Sequence, residues 1–77
     1  MNFKLLETVV LVRDVPEHGL QAGDLGTVVE VYESDGLEVE FLTADGRTQA
    51  VLTLEVEDVR EVRREDILAV RSLQPTG

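Results

Sequence analysis

The sequence predicts an all-β domain built from five short strands. Its apolar residues, mostly valine and leucine, come in short runs, and several of these runs alternate with polar residues at the period of a strand. Two Asp-Gly pairs, at positions 35–36 and 45–46, stand between such runs and are typical of tight turns between neighbouring strands. With 77 residues, the chain has room for one small hydrophobic core.

The first predicted strand is the run at 8–12, which is β-branched and apolar enough to be buried partly on both faces. It ends before residues 14–24, where proline, glycine and acids surround the isolated apolar residues Val15 and Leu20. We interpret this stretch as a long ordered loop, in which Pro16 holds Val15 extended and the glycines permit a positive φ.

Residues 25–33 alternate and form the second predicted strand. We assign the face with Leu25, Thr27, Val29 and Val31 to the core, so that Tyr32 lies on the opposite face. That opposite face also carries Gly26, Val28 and Glu30. A glycine inside a strand predicts a bulge or a close crossing of strands at Gly26.

The third predicted strand, at 37–41, has the clearest pattern in the chain. Apolar and acidic residues alternate almost strictly, which places the acids in water. Its inward residues are Leu37, Val39 and Phe41, and its outward residues are Glu38 and Glu40.

Residues 48–54 form the fourth predicted strand, with Ala50, Leu52 and Leu54 facing inward. The acidic stretch 55–58 is too short for an α-helix and predicts a single 3₁₀ turn, after which a short fifth strand resumes at 59–62. A long loop, a three-stranded meander, a 3₁₀ turn and a short last strand together predict a small five-stranded SH3-like barrel.

We divide the chain into this barrel, residues 1–62, and a short C-terminal extension, residues 63–77. The extension is expected to form a short helix or strand and then to fray. Its apolar side chains offer a contact to a partner or to a second copy of the chain, as a homodimer. The residues expected to make this contact are Ile67, Leu68 and Val70.

Residues 23–31 resemble the KOW-type motif of ribosomal and transcription-factor proteins, in which a Gly-Asp turn enters a strand through a glycine. A wider pattern, over residues 3 to 62, resembles a family of small bacterial proteins whose domain has no assigned function. The resemblance implies the barrel fold and supplies no activity. It is carried by TVVL at 8–11, DVPEHGL at 14–20, GDLGTVVEV at 23–31, VEF at 39–41 and DGRT at 45–48.

Sixteen acidic residues against seven basic ones give a formal charge of −9. Such a surface repels phosphate backbones, so nucleic-acid binding is disfavoured and a basic protein partner is favoured. The alternative is a KOW-like nucleic-acid-binding or ribosome-associated protein, in which a local group of arginines touches phosphates. These arginines are Arg47, Arg60, Arg63 and Arg64.

The residue types argue against an enzyme. The chain has no cysteine and a single histidine, His18, so neither a thiolate site nor a triad nor a zinc site can be assembled within it. The two Asp-Gly turns lack the spacing of oxygen ligands in a calcium loop. We therefore expect no catalytic residue, no metal and no cofactor.

The first six residues are too short for the apolar region of a signal peptide, and no apolar run approaches the ~20 residues that span a bilayer. These observations predict a cytoplasmic protein without a membrane contact.

The leading functional prediction is a non-catalytic protein-interaction module, an acidic regulator or small subunit that binds a basic protein. Besides the extension, its contacts are expected on the long loop and at Tyr32, because an aromatic ring with a polar tip is a common interface anchor. The alternative for Tyr32 is a second, minor core under the loop. A further alternative is an antitoxin or immunity-type protein that masks a basic toxin. The expected contact residues are Val15, Pro16, His18, Leu20 and Tyr32.

Overall fold

The computed structural model describes residues 3–66, and within them five strands form one antiparallel sheet. The all-β class, the five strands and a 3₁₀ turn (Val56–Asp58) directly before the last strand are as predicted. Across the sheet the order is β4-β3-β2-β1-β5. The strands are β1 (Thr8–Leu11), β2 (Leu25–Val31), β3 (Gly36–Leu42), β4 (Thr48–Glu55) and β5 (Val59–Glu61).

Strand β1 lies inside the sheet, between β2 and β5, and is buried on both faces as predicted. Val9 and Leu11 belong to the hydrophobic core. Val10 points to the opposite face because neighbouring residues of a strand alternate. It is nevertheless only 4% exposed.

Both Asp-Gly pairs form turns between neighbouring strands, so β2, β3 and β4 are a meander. In each connection three residues lie between the two residues that a backbone hydrogen bond joins, from Tyr32 N to Gly36 O at 2.9 Å and from Thr43 N to Arg47 O at 2.8 Å. The left-handed residue is Gly46 in the second loop (φ 87°) but Asp35 in the first (φ 53°). Aspartate tolerates this conformation better than most residues.

A bulge in β2 corrects the predicted core face of this strand. Val28 pairs with Val39, yet Glu30 already pairs with Glu38, so Val29 is an extra residue on β2. Before the bulge the core face consists of Gly26 and Val28, the face that the alternation assigned to solvent. Beyond the bulge, the even-numbered residues of β2 face outward instead of inward. Tyr32 therefore lies on the outer face, where it was predicted.

Gly26 leaves room on the core face of β2 for side chains of the neighbouring strand β3; the bulge of β2 lies at Val29 and not at Gly26. A Cβ atom at this position would lie 2.5 Å from Val39 Cγ1 and 2.8 Å from Phe41 Cε1. Both neighbours are fully buried, so the absence of a side chain is what permits this packing. The core that they share includes Phe3, Val9, Leu11, Val15, Leu20, Val28, Leu37, Val39, Phe41, Ala50, Leu54 and Val59.

The long loop is ordered around a small apolar bridge. Val15 N donates to Leu20 O at 2.9 Å and Leu20 N donates to Val15 O at 3.1 Å, and a 3₁₀ turn (Pro16–His18) lies between them. The loop is also fastened to β4, since the Gln49 side-chain amide donates to His18 O at 3.1 Å. The loop therefore packs against the sheet, and Val15 and Leu20 are part of the core.

A capping box formed by Glu55 and Asp58 begins the 3₁₀ turn before β5. In it, the side chain of each residue accepts a hydrogen bond from the backbone N–H of the other. The Asp58 carboxylate accepts hydrogen bonds from Glu55 N and from Arg13 Nε, both at 2.9 Å. Partial burial raises the pKa of Asp58, but these hydrogen bonds outweigh it and hold the pKa below its ordinary value. The hydrogen bond from Arg13 thereby connects the turn before β5 with the segment that follows β1.

Leu6 has a left-handed backbone (φ 68°) although its side chain is 71% exposed. A residue with a Cβ atom pays about 1–2 kcal/mol for this conformation, and an exposed leucine recovers little of it by packing. We expect Leu6→Gly to raise the free energy of unfolding by about 0.5–1 kcal/mol in chemical denaturation, after allowance for the greater freedom of glycine in the unfolded chain. Leu5→Gly is the control, because Leu5 is not left-handed, and it should not stabilise the domain. Equal effects of the two substitutions would contradict the prediction.

Candidate functional site

The outer surface of the β2–β3 hairpin carries a group of acids around one aromatic ring. In the sheet register Glu30 lies directly opposite Glu38, and Thr27 lies opposite Glu40, the next outward residue of β3. Directly opposite residues in an antiparallel pair have Cβ atoms about 4.5–5.5 Å apart. We call Glu30, Tyr32, Glu38 and Glu40 the acidic face.

Threonine hydroxyls of β4 orient two of these carboxylates. Thr53 donates to Glu38 Oε1, and Thr48 donates to Glu40 Oε2 at 2.7 Å. No lysine or arginine within residues 3–66 forms an ion pair with the acidic face, because the ion pairs in this part of the chain join other residues. These pairs are Arg13–Asp58, Arg47–Asp45 and Arg60–Asp66. Among residues 3–66, the carboxylates of Glu38 and Glu40 thus have hydroxyl donors but no cationic partner.

Tyr32 stands at the end of β2 and is 44% exposed. Its ring borders Gly36, where a Cβ atom would lie 3.4 Å from Tyr32 Cδ2. Loss of hydration, together with the negative charges of Glu38 and Glu30, raises the pKa of the Tyr32 hydroxyl above its ordinary value. The hydroxyl therefore remains a hydrogen-bond donor at neutral pH, beside two carboxylates.

This arrangement suits the binding of a cationic side chain. A guanidinium or ammonium group can stack on an aromatic ring and donate to neighbouring carboxylates at the same time. Among residues 3–66 no group of three or more His, Asp or Glu side chains is arranged to hold a metal ion.

The structure divides the predicted loop contacts into two groups. Val15 and Leu20 are each 4% exposed and belong to the core, so their side chains hold the loop in place and are not available to a partner. Pro16 and His18 are exposed on the 3₁₀ turn between them. The alternation of polar and apolar residues does not distinguish these roles, because the bridge that buries Val15 and Leu20 is a tertiary contact.

The other predicted contacts lie partly beyond the residues that the structure describes. Ile67, Leu68 and Val70 are outside residues 3–66. Tyr32 is exposed, as its predicted role requires. The pairing of Glu30 with Glu38 was not predicted, because it depends on the bulge, and the sequence alone indicates only that Glu38 faces solvent.

Of the four arginines of the nucleic-acid alternative, Arg47 lies apart from the other three, which are on β5 and in the segment directly after it. Arg47 follows the β3–β4 turn and pairs with Asp45, whereas Arg60 is on β5, at the other end of the sheet order. Arg63 and Arg64 are exposed in the segment after β5. Two of the four guanidinium groups thus already have an acidic partner.

Arg60 and Asp66 form a clasp at the C-terminal end of the described residues. The guanidinium donates through two nitrogens to the two oxygens of Asp66, at 2.9 and 3.0 Å, and Arg63 N donates to Asp66 Oδ2 at 2.6 Å. The Asp66 N–H in turn donates to Arg63 O at 3.0 Å. The clasp closes a turn and fixes the position at which the chain leaves β5.

The clasp predicts an unusual titration. The hydrogen bonds from Arg60, and then that from Arg63, lower the pKa of Asp66 from 3.8 to about 2. Since the folded-state pKa is the lower one, the clasp is at full strength above pH 3.8 and is lost as the pH falls toward 2. Carboxyl carbon NMR should show Asp66 titrating near 2, and Arg60→Gln should raise this pKa toward 3.8. An ordinary aspartate pKa in the unmodified protein would contradict the clasp.

Together these features define a small acidic all-β domain with one exposed aromatic residue set among carboxylates. Residues 5–61 match the family model described as Domain of unknown function (DUF4926), and the chain belongs to this family. The resemblance to an uncharacterised family is confirmed in this form, while its KOW-like aspect stays a prediction. No curated protein and no solved structure matches the chain. Within residues 3–66 no helix is long and apolar enough to cross a membrane.

Proposed function

We propose that this domain is a non-catalytic protein-interaction module whose acidic face binds a basic segment of a partner protein. The observation that carries the proposal is the direct pairing of Glu30 with Glu38 across β2 and β3. Like charges in this position destabilise a sheet, because the side chains are too close to avoid one another. An arginine or lysine of a partner would convert this repulsion into attraction.

The charge of the whole chain supports the same partner. A formal charge of −9 attracts basic proteins over long distances and raises their rate of association. Tyr32 then supplies a rigid apolar surface beside the carboxylates, of the type that anchors many interfaces. Pro16 and His18 are the loop residues that remain available for additional contacts.

We further propose that the five-stranded sheet is an SH3-like barrel and that the protein acts as a cytoplasmic regulator or small subunit. The order of elements supports the barrel, since a long loop, a meander, a 3₁₀ turn and a short strand follow one another as expected. An antitoxin or immunity-type protein is the special case in which the basic partner is a toxin.

Glu30→Gln tests the proposal because it should affect stability and binding in opposite directions. Loss of the repulsion with Glu38 should raise the free energy of unfolding by about 0.2–1 kcal/mol. The same substitution should weaken binding about 2- to 5-fold, the value of an exposed ion pair. The binding probe is a synthetic peptide of alternating arginine and serine. The readout is Tyr32 fluorescence, because Tyr32 is the only tyrosine and the chain has no tryptophan.

Glu57→Gln is the matched control, since it removes the same charge from an exposed position on the 3₁₀ turn before β5. Glu57→Gln should weaken peptide binding less than Glu30→Gln does. Equal weakening by both substitutions would show that the peptide responds only to the net charge of the protein, and it would contradict a specific site. Salt-dependent binding of RNA that is lost on substitution of Arg63 and Arg64 would favour the nucleic-acid alternative instead.

A further inference from the structure

A second surface lies on the outer side of the sheet, around Val10. In the sheet register Val10 is opposite Leu25 on β2 and opposite Arg60 on β5, and directly opposite residues share a face. Arg60, Val10 and Leu25 therefore form a row across three strands. At the β5 end of this row Asp66 is clasped onto Arg60.

At the other end of the row lies a shallow groove of about 200 Å³. Its apolar walls are Leu25 and Leu42, which are 37% and 50% exposed. Small-molecule sites usually measure about 300–1,000 Å³, so this groove suits one or two aliphatic side chains better than a metabolite. The groove is lined by Thr8, Leu25, Gly26, Thr27, Glu40 and Leu42.

The occupant that fits this groove best is the chain's own C-terminal segment. The described residues end at Asp66, which is clasped on the same face as the groove, and the next seven residues are Ile-Leu-Ala-Val-Arg-Ser-Leu. Three strand spacings separate β5 from β3, which is about 14 Å. Five extended residues span about 16 Å, so residues 67–73 are long enough to reach Leu42.

Charge favours the same occupant. Glu40 lines the groove and has no basic partner within residues 3–66. Arg71 is the only basic residue after Arg64 and stands among the apolar residues of the segment. We infer that residues 67–73 dock into the groove of their own chain, with aliphatic side chains between Leu25 and Leu42 and with Arg71 beside Glu40.

Paramagnetic NMR tests this docking in the full chain. Because the chain has no cysteine, Ser72→Cys provides a single attachment point for a nitroxide label. In ¹⁵N-labelled protein the label should selectively broaden the amide signals of Leu25, Thr27 and Leu42. Broadening spread evenly over the surface, or no broadening at these residues, would overturn the inference.

A mixed sample separates docking within one chain from exchange between two copies. Nitroxide-labelled protein without ¹⁵N is combined with ¹⁵N protein that carries no nitroxide. The inference expects no broadening of the groove signals in this mixture. Strong broadening there would show that the segment binds a second copy, and the inference for a single chain would be rejected.

Substitution of the groove supplies the second readout. Leu42→Ser should reduce the broadening at Leu25 severalfold, and because Leu42 is half exposed the fold should survive. Val51→Ser is the control, since Val51 is exposed to a similar degree, at 47%, but does not line the groove. If both variants broaden Leu25 as strongly as the unsubstituted chain, the groove is not the docking site. Glu40 belongs to both the groove and the acidic face, so these measurements are made without a basic peptide, and their outcomes then do not depend on whether the acidic face binds a basic partner.

Discussion

Gly26→Ala should destabilise the domain by about 1–3 kcal/mol, although it adds only one methyl group. The new Cβ atom would lie 2.5 Å from Val39 Cγ1 and 2.8 Å from Phe41 Cε1, well inside van der Waals contact. Val39 is a stiff β-branched residue and Phe41 a planar ring, and both are fully buried, so neither can move aside without disturbing the core. A domain of this size is stable by only ~3–5 kcal/mol, and the loss is therefore a large part of the total.

Chemical denaturation followed by circular dichroism measures this effect. Gly36→Ala is the matched control, because a Cβ atom there meets its nearest neighbour at an ordinary 3.4 Å and the backbone is not left-handed. It should change the stability by less than about 0.5 kcal/mol. In a Val39→Ala background the additional cost of Gly26→Ala should fall, since the nearest clashing atom is gone. If the stability losses of Gly26→Ala and Val39→Ala simply add in the double mutant, the proposed clash is contradicted.

Phe41→Ala is expected to unfold most of the protein at room temperature. Phe41 is 2% exposed and is the largest of the fully buried side chains, in a chain with only three aromatic residues. Removal of a buried phenylalanine side chain costs about 3–5 kcal/mol, because the apolar contacts are lost and a cavity remains. This cost equals the whole expected stability of a domain of this size.

The substitution should abolish the dispersed amide signals of the NMR spectrum and the cooperative thermal transition. Phe41→Leu keeps most of the apolar volume and should leave a folded domain with a lower melting temperature. Leu42→Ala, one residue further along β3, removes a half-exposed side chain and should have little effect on stability. A folded Phe41→Ala variant with native cooperativity would show that the core does not depend on this ring.

Local patterns were sufficient to predict the strands and turns of this fold. The alternation of Leu37, Val39 and Phe41 with glutamates determines both the strand and its buried face, since each residue of β3 follows the pleat. The Asp-Gly pairs located the two hairpins. The bulge was not predicted, because Val28, Val29 and Val31 are chemically alike and the sequence does not mark which of them is the extra residue.

The candidate site was only partly predictable for the same reason. The exposure of Tyr32 was correctly expected, even though the core face assigned to its strand was wrong near Gly26. The pairing of Glu30 with Glu38 depends on the register of β2 and β3, which the bulge at Val29 shifts, and no local pattern marks the position of that bulge. The burial of Val15 and Leu20 likewise depends on a bridge within the long loop, which is a tertiary contact.

The hydrogen bond from Gln49 to His18 connects the long loop with one end of the sheet. Strand β4 is at one end of the sheet order and is eight residues long, and an end strand of this length offers its unpaired backbone to other chains. Because Gln49 belongs to β4, its side-chain hydrogen bond to His18 attaches the loop to this end strand. We therefore expect the tendency of the protein to aggregate to depend on how firmly this loop is attached to β4.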